Sequence, residues 1–111
     1  MAERADDTLS LEEFDRIRSS ETTIVVDIRR AVDFESDSET IPGARRGDPD
    51  TFDEWSADLP RDAEIVVYCV RGGSVSQSVT PRLRALGLRA RYLSGGITAW
   101  KERGGKTNPT S

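Results

Sequence analysis

The chain has no histidine, and that absence removes more chemistry than any other feature of its 111 residues. Serine–histidine and cysteine–histidine pairs are excluded as catalytic couples, so any nucleophile needs activation by backbone amides, a helix dipole or nearby cations. A single cysteine, Cys69, cannot form an internal disulfide, which fits a reducing compartment. The usual zinc ligand sets cannot be assembled from one cysteine and no histidine, and no metal or other cofactor is expected. No apolar run approaches the roughly 18 residues that span a bilayer, and the start Met1-Ala2-Glu3-Arg4-Ala5-Asp6-Asp7 lacks the apolar core of a signal peptide. A cytoplasmic protein without a membrane partner is the expectation. Basic stretches interleaved with aromatics are missing and the formal net charge is −4, so nucleic acid is not an expected partner either.

What is present is a set of short apolar segments separated by turn residues, in a length that suits one core and one domain. Ser10-Leu11-Glu12-Glu13 has the form of a capping box, and Leu11, Phe14 and Ile17 follow at helical spacing, predicting a helix from about Leu11 to Arg18. Thr23 to Ile28 is a β-branched run that reads as a buried strand ending near Asp27. Ala31 to Thr40 is acidic and serine-rich, a solvated loop or short helix, and Pro42-Gly43 forces a turn. A helix capped near Thr51 and stopped by Pro60 is expected, then a second strand at Ile65 to Tyr68. Val75, Val79, Leu83 and Leu86 mark a helix from Ser74 to Leu86 with Gly87 as its cap; Pro81 inside it predicts a kink or a later start. Arg89 to Leu93 reads as a strand, Ile97 to Arg103 as a short helix, and Lys106 to Ser111 as a disordered tail. Strands alternating with helices predict an α/β architecture, a parallel sheet with helices on both faces.

Cys69 stands at the end of the run Ile65-Val66-Val67-Tyr68 and just before the glycine turn Arg71-Gly72-Gly73-Ser74, which leads into the helix pattern from Ser74 to Leu86. Read alone, a free cysteine is a small core residue. Its placement reverses that reading, because the carboxyl ends of strands in open α/β sheets form the ligand crevices. Paired glycines let the backbone curl with its N–H groups inward, and a helix start adds unpaired amides and positive dipole. A structural cysteine needs no such nest, whereas a thiolate is stabilised by one.

Three segments together resemble the rhodanese family of sulfurtransferase domains. Val25-Val26-Asp27-Ile28-Arg29, then Phe34 and Ile41-Pro42-Gly43-Ala44, is similar to its amino-terminal signature; Cys69-Val70-Arg71-Gly72-Gly73-Ser74 resembles its active-site loop; Leu93-Ser94-Gly95-Gly96-Ile97-Thr98-Ala99-Trp100, with Gly104 beyond, resembles its carboxy-terminal signature. Each alone is a weak signal, but three in this order are strong. The resemblance implies a domain over residues 9–105 behind a lead-in of 1–8, with a three-layer α/β fold and a five-stranded, mainly parallel central sheet. It also implies that Cys69 takes sulfane sulfur from a small anionic donor such as thiosulfate, stores it as a persulfide and passes it to cyanide, a thiol or a protein acceptor. The amides of Val70, Arg71, Gly72, Gly73, Ser74 and Val75 are then expected to hold the terminal sulfur, with Arg71 meeting the donor. A histidine usually precedes the Ile-Pro-Gly-Ala turn; here that position is Thr40, so a hydrogen bond made there must differ.

Other residues carry two readings each. Asp27 and Arg29 either orient the active-site loop or form an ordinary strand-end ion pair. Arg45 and Arg46 either join Arg71 in a positive mouth or are solvated surface, and Trp100 is expected to be core packing. A cysteine phosphatase or arsenate reductase would need arginine six residues after its cysteine, where this chain has Val75. A third possibility is a sulfur sensor or protein-docking module with the same fold and no fast turnover.

Overall fold

A computed structural model describes residues 7–109. The chain forms β1 (Thr8–Leu9), α1 (Leu11–Ile17), β2 (Thr23–Asp27), α2 (Ala31–Ser36), β3 (Arg45–Arg46), a 3-10 turn (Pro49–Thr51), α3 (Phe52–Ser56), β4 (Glu64–Tyr68), α4 (Ser74–Ala85), β5 (Arg89–Leu93) and α5 (Gly96–Glu102). The five strands make one sheet in the order β1-β5-β4-β2-β3, and every pairing is parallel. The expected five-stranded parallel sheet is thus present. Both edge strands are two residues long, too short to show an alternating pattern, and the sequence alone does not reveal them.

The pleat sorts the core into two layers. Ile65, Val67 and Cys69 point to one face, where they meet Val26, Ile28, Val79 and Leu83. Val66 and Tyr68 point to the other, with Phe14, Val25, Ile41, Ile97 and Trp100. Burial on both faces explains why β2 and β4 read as continuous apolar runs. The same alternation fixes where the cysteine goes: one residue past the end of β4, it lies on the α4 side.

Helix boundaries follow local chemistry. Ser10 Oγ accepts from the Glu13 amide at 3.1 Å and caps α1. At the end of α4, the Gly87 amide donates to Arg84 and the Leu88 amide to Leu83, with Gly87 at φ 88°, a Schellman arrangement that only glycine adopts without strain. α4 begins at Ser74 and runs through Pro81, so the later start is overturned. Pro81 is exposed, where water can take the bond that proline denies to the carbonyl four residues back. α3 begins after Thr51 as expected but ends at Ser56, where the Asp58 and Leu59 amides turn back to the Trp55 and Ser56 carbonyls ahead of Pro60; a 3-10 turn capped by Asp48 precedes it.

Trp100 packs in the core as expected, edge-on to Phe14 with ring centroids 5.3 Å apart. Its Nε1 donates to the Lys106 carbonyl at 2.8 Å, and Thr40 and Asn108 exchange two backbone hydrogen bonds of 2.8 Å. The tail expected to be disordered is thus held to the body as far as Asn108; residues 1–6 of the lead-in and 110–111 lie outside the described residues. Among the described residues no helix is long and apolar enough to cross a membrane.

Candidate active site

Cys69 follows directly from β4, and everything after it is shaped by the need to turn a buried strand into α4. Gly72 takes φ 70°, and a Cβ there would sit 3.1 Å from the Gly95 amide and 3.2 Å from the Leu93 carbonyl. Gly96 is more constrained, since a Cβ would lie 2.5 Å from the carbonyl oxygens of both Cys69 and Val70. The loop after β4 and the turn after β5 are therefore pressed backbone to backbone, which only glycine permits.

That contact sets the polarity of the loop. The Ile97 and Thr98 amides, at the start of α5, donate to the carbonyls of Cys69 and Val70 at 3.0 Å each. Gln77 donates from its amide to Gly73 and from Nε2 to Gly72, at 3.0 and 3.2 Å. Four loop carbonyls are thus tied into the protein. The N–H groups of Val70, Arg71, Gly72, Gly73, Ser74 and Val75, by contrast, have no acceptor among the described residues. Loop and helix-start amides left without an acceptor are available to an anion, so this arrangement reads as a cradle for one. Above it lies an open pocket of about 280 Å³ lined by Cys69, Val70, Arg71, Gly73, Ser74 and Val75, together with Arg29, Arg30 and Asp33. Gly72, the remaining loop residue, is buried and spent on packing.

Of the two readings open for Arg45 and Arg46, the structure does not bear out the positive mouth. Arg45 and Arg46 lie on β3 beside a separate small cavity and do not join Arg71. Arg46 instead donates from Nη1 to the Asp27 carbonyl at 2.9 Å and stacks 4.7 Å from the Phe34 ring. The cation that does stand beside Arg71 is Arg30, which sequence reasoning passed over. Both are exposed, and among the described residues neither forms an ion pair.

Asp27 and Arg29 are a buried pair, each 1% exposed, and not an ordinary strand-end contact in solvent. Arg29 Nη2 lies 2.7 Å from Asp27 Oδ2, and its remaining donors reach the carbonyls of Asp37 (2.7 Å) and Glu39 (2.8 Å). Tyr68 donates its hydroxyl to Asp27 and accepts from the Ile41 amide. Burial, then the charge of Asp27, pushes the Tyr68 phenol far above its ordinary value. Burial opposes the charge on Arg29, but the hydrogen bonds and charge of Asp27 outweigh it and hold the guanidinium above its ordinary value. This network clamps segment 37–41 to the ends of β2 and β4. It meets the site where Arg29 lines the pocket and through Tyr68, the residue before Cys69.

Cys69 is itself 5% exposed. Its sulfur accepts one side-chain hydrogen bond, from Ser76 Oγ at 2.9 Å. Ser76 was not a candidate from sequence; within α4 it looks like one more polar residue, and only its spacing two residues after the helix start turns it back toward the strand end. Among the described residues no cluster of three or more Cys, Asp or Glu is placed to hold a metal ion.

The family profile of the rhodanese-like domain matches residues 10–103. A tRNA sulfurtransferase from Desulfurococcus amylolyticus is 32% identical over 90 residues, which cover 81% of this chain but 17% of that protein. The chain thus spans about a sixth of that relative. Among solved structures, a rhodanese-related protein from Thermoplasma volcanium superposes with a TM-score of 0.79 at 24% identity, covering 91% of this chain and 96% of the other. A rhodanese-like domain protein from Staphylococcus aureus gives 0.77 at 23% identity, covering 95% and 99%. These two structures share the fold.

Proposed function

Since this chain belongs to the rhodanese-like domain family, we propose that it is a sulfurtransferase that carries sulfane sulfur on Cys69. The observation behind the reading is the loop whose carbonyls are tied back and whose amides are free, closed around a lone cysteine. The Cys69 thiolate attacks the outer sulfur of a donor such as thiosulfate; the new S–S bond forms as the S–S bond of the donor breaks and sulfite leaves with its electron pair. The terminal sulfur, now anionic, sits among the amides of Val70 to Val75, which stabilise it as an oxyanion hole stabilises oxygen. A thiophilic acceptor, cyanide or a thiol, then takes that sulfur and releases the Cys69 thiolate. Asp27 and Arg29 support the site by holding segment 37–41 and take no part in the bond changes. The tRNA sulfurtransferase relative accords with this class of chemistry without fixing the acceptor.

Covalent storage predicts ping-pong kinetics. Initial rates of thiocyanate formation against thiosulfate at several cyanide concentrations are expected to give parallel reciprocal lines. Intersecting lines would mean that donor and acceptor bind together, and would remove the stored intermediate. A carrier or sensor without fast turnover would still load sulfur but show negligible steady-state rate.

The pocket also predicts a salt dependence. Arg30 and Arg71, unpaired at the mouth, attract a dianionic donor over a Debye length that shrinks from about 30 Å at 0.01 M to about 8 Å at 0.15 M salt. The kcat/KM for thiosulfate is expected to fall roughly threefold or more across that range, and Arg71→Gln is expected to flatten the response. A flat profile in the unmutated protein counts against a charge-assisted donor site.

A further inference from the structure

We propose that Ser76 is a catalytic hydrogen-bond donor, which stabilises Cys69 Sγ as the leaving group when the stored sulfur is handed to its acceptor; this rests on the sulfurtransferase reading of the site. The side chain is fully buried, and its hydroxyl has one partner among the described residues, the cysteine sulfur at 2.9 Å. Helix stability does not account for it, because alanine is the better helix former at such a position. Among the described residues no other side chain donates a hydrogen bond to the cysteine sulfur. There is no histidine, and the one buried guanidinium nearby, Arg29, has its donors committed to Asp27, Asp37 and Glu39.

The value of this bond changes through the cycle. In the thiolate form that attacks the donor Sγ carries a full charge, and a hydrogen bond to a charged acceptor is strong. After loading, the charge sits on the terminal sulfur in the amide cradle, and Sγ is a neutral divalent sulfur that accepts weakly. When the acceptor attacks the terminal sulfur, the Cys69 S–S bond breaks and its electron pair returns to Sγ, so the bond to Ser76 strengthens as the transition state forms. Only such differential stabilisation accelerates a step. Loading runs the other way: Sγ gives up its electron pair to the donor sulfur, and the Ser76 bond weakens on the way to the transition state. The hydroxyl thus favours release and slightly restrains loading.

Ser76→Ala separates these effects. Loading by thiosulfate and release to cyanide are measured as single turnovers by rapid quench and intact mass, at about pH 10, above the ordinary cysteine range. Release is expected to slow about 10- to 100-fold, the loss of a hydrogen bond to a charged group, while loading stays the same or rises a few-fold. A urea unfolding curve confirms that the variant is folded. Equal slowing of both steps would show that Ser76 only shapes the loop, and no change in release would show that it does nothing; either result overturns the proposal while leaving Cys69 a sulfur carrier. If the unmutated protein takes up no sulfur at all, the sulfurtransferase reading falls and this one with it.

Discussion

Replacing Cys69 with serine is expected to abolish thiocyanate formation from thiosulfate and cyanide, with a loss of at least about 1,000-fold in kcat/KM. The expectation follows from how the site divides its labour. In the proposed scheme the loop amides and the two mouth arginines would bind and orient the donor, but the sulfur would have to be carried on a covalent bond, and this chain offers one thiol for it. A serine oxygen in the same place does not take up sulfane sulfur to form a comparable store. Because Ser76 is a fellow hydroxyl within 2.9 Å of the position, the variant keeps a polar contact there, and the fold is expected to tolerate it. Matching unfolding curves for the two proteins, with activity lost in one, are the measurement that checks this. Activity within about tenfold of the unmutated enzyme would place the chemistry elsewhere.

The second large effect is on stability. Arg29→Ala is expected to cost about 3–5 kcal/mol, because it leaves the Asp27 carboxylate buried without its counter-charge and frees the carbonyls of Asp37 and Glu39 from their donors. That is a large share of the 5–15 kcal/mol that holds a typical domain together. The cost belongs to the broken pair more than to the pair itself, so Asp27→Asn combined with Arg29→Met is expected to lose clearly less than the two single changes added together. Urea unfolding of the unmutated protein, Arg29→Ala, the two single changes and their combination gives the comparison. A single-variant loss below about 1 kcal/mol would show that the pair is solvated and that segment 37–41 is held by other contacts, of which the Lys101 bridge to Asp37 and Glu39 is the candidate.

Much of the site was legible because its main parts are adjacent in sequence. β4, the cysteine, the two glycines and the start of α4 are one continuous stretch, and β-branched periodicity followed by a glycine turn is a local signal. The parts that were not legible are those that topology brings together. Arg45 and Arg46 seemed suited to the mouth because they follow a Pro-Gly turn, yet β3 pairs beyond β2 and carries them to the far side of Asp27. Arg30 carried no signal in the sequence, and the turn into α2 brings it to the pocket that Cys69 also lines. The Asp27, Arg29 and Tyr68 network joins residues up to 41 positions apart, a distance over which no spacing rule operates. Ser76 is different. It lies close to Cys69 in the chain, but polar residues crowd the first two turns of α4, and only the three-dimensional packing distinguishes the buried Ser76 from the exposed Ser74 and Ser78. The tail was misread for a related reason: Thr107 and Asn108 carry no pattern of their own and are ordered by bonds to Glu39 and Thr40.

One measurement bears on all of this most directly: the intact mass of the unmutated protein after incubation with thiosulfate and removal of excess reagent. The expected result is the gain of one sulfur atom, mapped to Cys69 and lost again on addition of cyanide. The contradictory result is an unchanged mass in a protein whose Cys69 is alkylated readily under the same conditions, since an accessible thiol that takes no sulfur would leave the amide cradle without the cargo assigned to it.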